Sequence, residues 1–150
     1  MRVYQSQLDL DASRAAIWSV LTDFDRYLVW QPFIRQVILT EKPPLAKGAL
    51  VRLLLARQPV RVDAELATYN REKALGWRLL PNRLPVRGLI QYELLPLDRG
   101  TRVICHVSCG GLLPLVLPVY FNWTVRPLGF ASLQALAGEL AACNLLLSGS

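Results

Sequence analysis

Few side chains in this sequence could act as nucleophiles, proton carriers or metal ligands. The chain has one histidine, His106, and three cysteines. His106 lies in an alternating segment, so its neighbours Cys105 and Val107 point to the opposite face and cannot form a local thiolate–imidazole pair with it. Cys105 and Cys109 share a face, but four residues of strand separate them by roughly 13 Å, too far for a disulfide. Because one histidine and scattered cysteines give no zinc-binding spacing, we expect no metal site.

The carboxylates give no pattern of acid–base chemistry either. Asp63 and Glu65 share a strand face with Arg61, which favours a solvated row of charges over a catalytic pair. The sequence has no glycine-rich phosphate loop and no nucleophile elbow. We therefore assign no catalytic residue. If the protein were an enzyme, Tyr92 and Tyr120 are the candidates that could promote enolisation.

Alternation of polar and apolar residues predicts an antiparallel sheet that holds these side chains. It runs from Val3 to Leu10 and recurs in later segments between Phe33 and Cys109. Each segment has one polar face, which is typical of a sheet packed on one side only. Asp98-Arg99-Gly100 predicts a hairpin turn before the last strand.

Helical spacing marks two further segments. After the first strand, Ile17 and Leu21 recur on one helix face, and Tyr27 and Trp30 lie three residues apart, so that one turn places both rings on one side. The following proline disfavours helix at the residue before it and ends this bent element. Near the end of the chain, a run of apolar residues at helical spacing predicts a long helix from about Leu128 to Cys143. Phe130, Leu133, Ala137 and Leu140 follow this spacing, with Leu136 on the flank. The polar partners are Ser132, Gln134 and Glu139.

The stretch Ile17-Trp18-x-Val20-Leu21-Thr22-Asp23-Phe24-x-x-Tyr27-x-x-Trp30-x-Pro32-Phe33 resembles the N-terminal signature of the polyketide cyclase/START-like superfamily (SRPBCC, Bet v 1-like). Gly100-Thr101-Arg102, Gly111-Leu112-Leu113 and Gly129-Phe130 resemble its C-terminal half. The resemblance implies an α+β helix-grip fold: a curved antiparallel sheet wrapped around a long C-terminal helix, with short N-terminal helices and a ligand cavity between sheet and helix.

Two positions depart from the family pattern in the last strand. Val107 stands where many relatives carry an acidic residue, and Cys109 stands where an aromatic residue is frequent. An acidic group facing the cavity could bind a polar ligand or move protons, so its replacement by valine argues against catalysis and against a strongly polar ligand.

Composition predicts a single soluble domain covering residues 1–150. The chain is 53% hydrophobic and 19% charged, with a formal net charge of +6 and a sequence pI of about 9.7. An odd number of cysteines and an N-terminus without an apolar signal core favour a reducing cytoplasm. The longest apolar run, residues 111–121, is too short to cross a bilayer and contains two prolines.

The inward-facing residues either fill one another as a solid core or line a cavity, and periodicity alone does not distinguish the two arrangements. The resemblance favours the cavity. The residues that we expect to contact a ligand are large side chains from the sheet and the helices: Trp30, Leu53, Leu55, Trp77, Leu79, Tyr92, Val107, Tyr120, Phe130 and Leu133.

The leading hypothesis is therefore the binding or carriage, without a cofactor, of a small hydrophobic ligand such as a lipid, isoprenoid, fatty acyl or polycyclic molecule. A polyketide cyclase or aromatase is the enzyme alternative. A protein-interaction module is the third, with the apolar segment 112–121 as a dimer contact, so monomer and homodimer both stay open.

The sequence also bears on two further classes of partner. Nucleic acid is not expected, because the aromatic residues occupy predicted inner faces where they cannot stack on bases. Contact with a membrane surface could come from a basic stretch with the apolar pair Leu84-Pro85 beside it. The basic residues of this stretch are Arg71, Lys73, Arg78, Arg83 and Arg87, and we favour an ordinary solvated hairpin as their explanation.

Overall fold

A computed structural model describes residues 2–32, 34–40, 45–55, 61–80, 86–111 and 126–148. Its elements follow one another as β1 (Arg2–Leu10), α1 (Arg14–Thr22), a 3-10 turn (Phe24–Arg26), α2 (Tyr27–Trp30), β2 (Ile34–Leu39), β3 (Leu50–Leu55), β4 (Arg61–Asn70), β5 (Ala74–Leu79), β6 (Val86–Pro96), β7 (Thr101–Gly111) and α3 (Arg126–Ser148). Within these residues, all seven strands belong to one sheet in the order β1-β7-β6-β5-β4-β3-β2, and every neighbouring pair is antiparallel.

Alternation decides which side of the sheet is buried, as predicted. In β4, Val62, Ala64 and Leu66 are buried while Arg61 and Asp63 are exposed. Successive side chains of a strand point to opposite faces, so the apolar set covers one face and the charged set covers the other. The inner face packs on α1, α2 and α3 in one core cluster. This arrangement is the α+β helix-grip fold that the resemblance implied.

The outer face carries rows of paired charges. Three arginines of this face each contact the carboxylate directly opposite on the neighbouring strand: Arg52 with Asp63 at 3.3 Å, Arg78 with Glu65 at 2.8 Å, and Arg102 with Asp9 at 2.8 Å. Cross-strand pairs of opposite charge suit an exposed sheet face. Asp63 and Glu65 therefore belong to a solvated charge row, and Arg78 of the basic stretch has a local partner.

The turn before β7 requires glycine. Gly100 has φ +85, and a Cβ there would lie 2.1 Å from the Leu10 carbonyl oxygen. The Leu97 backbone N–H donates to the Gly100 carbonyl at 3.1 Å, and Thr101 Oγ1 donates to the Ala12 carbonyl at 2.8 Å. The predicted hairpin is thus present, and it is held against the connection between β1 and α1.

The helix ends differ in detail from the sequence-based bounds. The last helix begins at Arg126, ahead of the predicted Leu128, because Pro127 falls in its first turn, where proline is tolerated. It also continues five residues beyond Cys143, to Ser148. At the other end of the chain, Ser13 caps α1 by accepting a hydrogen bond from the Ala16 N–H at 3.2 Å. None of the described helices combines the length and apolar character needed to span a bilayer.

Candidate ligand-binding site between the sheet and the last helix

Most of the predicted ligand-contact residues with described side chains meet in the core between the sheet and α3. The buried members of the predicted set are Trp30, Leu53, Trp77, Tyr92, Val107 and Leu133, and Leu79 packs partly buried against them. The backbone of Leu55 continues β3, but its side chain and the whole of Tyr120 lie outside the described residues. The chain thus brings its largest rings and several leucines to one place.

Phe130 is placed differently from the sequence-based expectation. Its side chain is 45% exposed, whereas Leu136, which the pattern places at the flank, is fully buried. Each helical residue turns by about 100°, so Phe130 lies roughly 120° away from Leu136, which is at the centre of the buried face. The buried face also includes Ser132 and Glu139, which the sequence pattern assigns to the polar side.

A closed ring of three polar side chains lies in the middle of this apolar interior. Gln31 Nε2 donates to the Tyr92 hydroxyl at 3.0 Å, and Ser132 Oγ donates to Gln31 Oε1 at 3.4 Å. The Tyr92 and Ser132 hydroxyls are also hydrogen-bonded to each other. Because the Ser132 proton goes to Gln31, Tyr92 is the donor in that pair. We call this set the Gln31–Tyr92–Ser132 ring, and within it each member donates once and accepts once.

Three different elements position the members of this ring. Pro32 turns the backbone at Gln31 from helical to extended, with ψ 117, at the end of α2. Tyr92 lies in the central strand β6, in register with Leu75 and Cys105 on either side. Ser132 lies on the buried face of α3. Exposed fractions of 5%, 0% and 0% for Gln31, Tyr92 and Ser132 show that the ring is sealed from solvent.

Burial keeps the protons on the titratable groups of the interior. It raises the pKa of Tyr92 above the usual range; the nearby Cys105 raises it further, while the hydrogen bonds from Ser132 and Gln31 act in the opposite direction. Burial also raises the pKa of the Cys105 thiol to about 12. Cys105 is therefore protonated at neutral pH, which does not suit a nucleophile or a metal ligand. Tyr92 is a neutral hydrogen-bonding group.

A cluster of aromatic rings surrounds Tyr27 next to the polar ring. The centroid of the Tyr27 ring lies 5.4 Å from that of Phe24 and 5.3 Å from that of Trp30, and both pairs make edge contacts. Phe24 also contacts the ring of Trp77, with 5.2 Å between centroids. The Tyr27 hydroxyl donates to the Leu21 carbonyl, and burial, followed by the proximity of Tyr92 and then of Asp23, raises its pKa well above its ordinary value.

Two indole N–H groups of this cluster are buried donors. Among the residues that the structure describes, neither Trp30 Nε1 nor Trp77 Nε1 has a hydrogen-bond partner. The Trp77 N–H lies near enough to the Tyr27 oxygen to favour the ionised form of Tyr27, but the pair does not meet hydrogen-bond geometry. A buried donor without a partner is uncommon and calls for an explanation.

An ion pair joins the 3-10 turn that precedes α2 to the last helix, α3. Arg26 approaches Glu139 Oε1 through Nη2 at 2.7 Å and through Nε at 2.8 Å. The Glu139 side chain is 6% exposed and that of Arg26 is 47% exposed, so the charge reaches the surface on the arginine side. Glu139 lies seven residues after Ser132 on the same helix face. The segment around α2 therefore contacts α3 through two polar pairs, Arg26 with Glu139 and Gln31 with Ser132.

The histidine of the chain lies outside this interior. His106 lies on the outer face, where Nε2 is 3.3 Å from Glu93 Oε2, as its alternation with Cys105 predicted. Within the described residues, no three histidine, cysteine or acidic side chains gather in a group that could hold a metal ion. What the interior offers is an apolar wall with a few uncharged hydrogen-bonding groups.

A curved antiparallel sheet gripping a long C-terminal helix, with a polar group held between them, defines a START/Bet v 1-like helix-grip domain. The chain belongs to the family described as "Polyketide cyclase / dehydrase and lipid transport", whose family model matches residues 1–141. This family and this fold support ligand binding or a polyketide cyclase role. No curated protein matches the sequence significantly.

Solved structures share the fold at low sequence identity. The ZhuI aromatase/cyclase from Streptomyces sp. R1128 has a TM-score of 0.76 and 18% identity, over 93% of this chain and 93% of that one. A START superfamily protein from Mycobacterium smegmatis has a TM-score of 0.72 and 18% identity, over 94% and 98%. A protein from Thermus thermophilus has a TM-score of 0.76 and 12% identity, over 95% and 99%. At these identities the likeness is one of fold.

Proposed function

We propose that this protein binds and carries a small hydrophobic molecule between the sheet and α3. The observation that supports the proposal best is the pairing of an apolar wall with buried uncharged polar groups. The Gln31–Tyr92–Ser132 ring and the Trp30 indole lie among the buried apolar side chains of the core, and this is the region to which the proposal assigns the guest. Ligand pockets in proteins are commonly built in this way, mostly apolar with a few polar groups that fix orientation.

Burial of apolar surface would supply most of the affinity. A guest that buries about 300 Å² of apolar surface gains about 7 kcal/mol before the cost of association is subtracted. The lipid, isoprenoid, fatty acyl and polycyclic classes all provide such surface.

Ligand capture is the direct test. The purified protein is sprayed from volatile buffer under conditions that preserve non-covalent complexes, both as isolated and after incubation with a panel of neutral lipids and polycyclic molecules. We expect a mass increment of one small molecule per chain, and displacement of a neutral hydrophobic fluorophore by the same compounds.

A filled interior provides the matched control. Leu133→Trp adds a large ring at a fully buried position of α3, whereas Val3→Trp adds the same ring at a position that is 61% exposed on β1. Provided circular dichroism shows both variants folded, L133W should lose ligand binding and V3W should retain it. Failure of every compound to bind, or equal loss in both variants, would contradict the proposal.

The second candidate is an enzyme of the cyclase or aromatase type. It is favoured by the protonated Tyr92 hydroxyl, which could donate a hydrogen bond to a substrate carbonyl and assist enolisation. Against it, that proton is engaged with Ser132, and Val107 presents an apolar side chain on the inner face of β7. Turnover of a poly-β-ketone surrogate that disappears in Tyr92→Phe would support the enzyme, and turnover that survives would exclude Tyr92 as its acid. The segment behind the interaction-module alternative, 112–121, lies outside the described residues.

A further inference from the structure

The hydrogen-bond inventory of the interior indicates which kind of polar group a guest would need. In the Gln31–Tyr92–Ser132 ring every hydroxyl proton has an acceptor, because each member donates to the next. The Trp30 indole is a donor only, it is 8% exposed, and no acceptor among the described residues satisfies it. The unmet requirement of this interior is therefore an acceptor, which a guest could bring as an oxygen atom.

The charges of the described residues in the same region disfavour an anion as that acceptor. The polar or charged residues that are buried in the described chain are Gln31, Thr101, Ser108, Ser132 and Glu139. The one ionisable side chain in this set is the acidic Glu139, and it is engaged with Arg26. A carboxylate guest would lose its hydration, and Arg26, the cation that contacts this buried set, is already paired with Glu139.

We propose that the interior binds hydrophobic molecules with an uncharged oxygen acceptor, such as a ketone, quinone or ester carbonyl, more tightly than carboxylates or plain hydrocarbons. The Trp30 N–H is the donor that forms a hydrogen bond with this acceptor. This specificity rests on the proposed function. It narrows the ligand classes to neutral carbonyl compounds, whether their skeleton is a chain or a fused ring.

Two matched ligand series test the specificity. One is anthracene bearing an ethyl, an acetyl or a carboxylate group at the same position; the other is hexadecane, methyl palmitate and palmitate. One hydrogen bond from a buried N–H should make the carbonyl compound about fivefold to tenfold tighter than the hydrocarbon. The carboxylate should bind at least about a hundredfold more weakly than the carbonyl compound, because it must be desolvated without a counter-charge.

Trp30→Phe removes the donor and keeps an aromatic ring, and Trp18→Phe is the matched control. Trp18 is also 8% exposed, but it packs against Tyr69 with 5.4 Å between ring centroids and is not one of the two indoles with a partnerless N–H. In W30F the preference for carbonyl over hydrocarbon should fall to about onefold, and in W18F it should persist.

Nitrogen-15 spectra give a readout that depends on the hydrogen bond itself. The chain has four tryptophans, and the Trp30 indole signal is assigned by its disappearance in W30F. Its proton should shift downfield when the acetyl compound binds and stay nearly unchanged with the ethyl compound.

The outcomes separate the two proposals. If no member of either series binds, the carrier function itself fails. If the compounds bind but the carboxylate equals the carbonyl compound, or the Trp30 signal does not respond, or W30F keeps the full preference, the carrier function stands and the carbonyl specificity is overturned.

Discussion

Breaking the Gln31–Tyr92–Ser132 ring at one member should leave the other two with unmet hydrogen bonds. Tyr92→Phe removes one hydroxyl, so the Gln31 N–H that lies 3.0 Å from it loses its acceptor and Ser132 loses a donor. Both of these groups are buried, and each buried polar group left without its partner costs about 1–3 kcal/mol. We therefore expect Y92F to lower the free energy of unfolding by about 2–4 kcal/mol.

Ser132→Ala should cost less than Y92F. It leaves the Tyr92 hydroxyl without an acceptor, but the hydrogen bond that it removes from Gln31 is long, at 3.4 Å, and is worth little. Alanine is also a better helix former than serine by a few tenths of a kcal/mol, which offsets part of the loss in α3. The expected destabilisation is about 1–2 kcal/mol.

The double variant tests the ring as a unit. With both hydroxyls gone, neither position 92 nor position 132 retains an unmet group, and the hydrogen bonds that are lost are those that the two hydroxyls made to Gln31 and to each other. The double variant should then be less destabilised than the sum of the two single variants, by about 1–2 kcal/mol, which is the range seen for side chains in one hydrogen-bond network. Tyr69→Phe, at a partly buried tyrosine outside the ring, should change stability by less than about 0.5 kcal/mol.

Urea denaturation at neutral pH, followed by circular dichroism and tryptophan fluorescence together, measures these differences once coincident transitions establish two-state behaviour. Strict additivity of the two variants would mean that Tyr92 and Ser132 do not share a network. Single variants as stable as the original protein would mean that the ring does not form, and they would refute the closed arrangement of hydrogen bonds in the interior.

Two other predictions concern single residues. Gly138→Ala should raise the free energy of unfolding by about 0.5–1 kcal/mol, because a Cβ there meets nothing within 4 Å and glycine destabilises a helix. Gly100→Ala should destabilise the protein strongly, because its Cβ would collide with the Leu10 carbonyl. Equal melting temperatures of the two variants would contradict this pair of predictions. For Cys105, burial raises the pKa from 9.0 to about 12, so the folded chain keeps a proton that the unfolded chain releases. The stability from this group is complete below pH 9 and is lost as pH rises toward 12, and Cys105→Ala should flatten part of the alkaline decline in urea midpoints. If the Cys105 thiol reacted with Ellman's reagent as fast in the folded protein as in urea, it would not be buried, and the stated cause of its raised pKa would be refuted.

The sheet could be predicted from the sequence because its physical signal is local. Apolar and polar residues alternate over 61–66 of β4 and 90–94 of β6, and Val62, Ala64, Tyr92 and Leu94 are buried as that alternation requires. The turn before β7 could be predicted for the same reason, since only glycine fits the backbone at position 100 without a collision.

The polar part of the interior could not be predicted in this way. Sequence patterns assign polar residues of a helix to the solvent side, which is why they place Ser132 and Glu139 outward and give no role to Gln31. The burial of these residues depends on partners far along the chain: Gln31 lies 61 residues from Tyr92, and Arg26 lies 113 residues from Glu139. Such pairings are decided by the tertiary fold, and no period of about 2 or 3.6 residues encodes them.

The distribution of charge bears on what this interior can recognise. The formal net charge of +6 permits acidic partners when composition alone is considered, yet three arginines of the sheet, Arg52, Arg78 and Arg102, pair with carboxylates across its outer face. The Arg26 side chain also approaches the interior, where its guanidinium forms an ion pair with Glu139. On the inner face of β7, Val107 is 3% exposed, and an acidic residue at that point would have added a second buried negative charge. Among the described residues, these four arginines are therefore paired with carboxylates, and under the proposed function hydrogen bonding and shape would discriminate among guests.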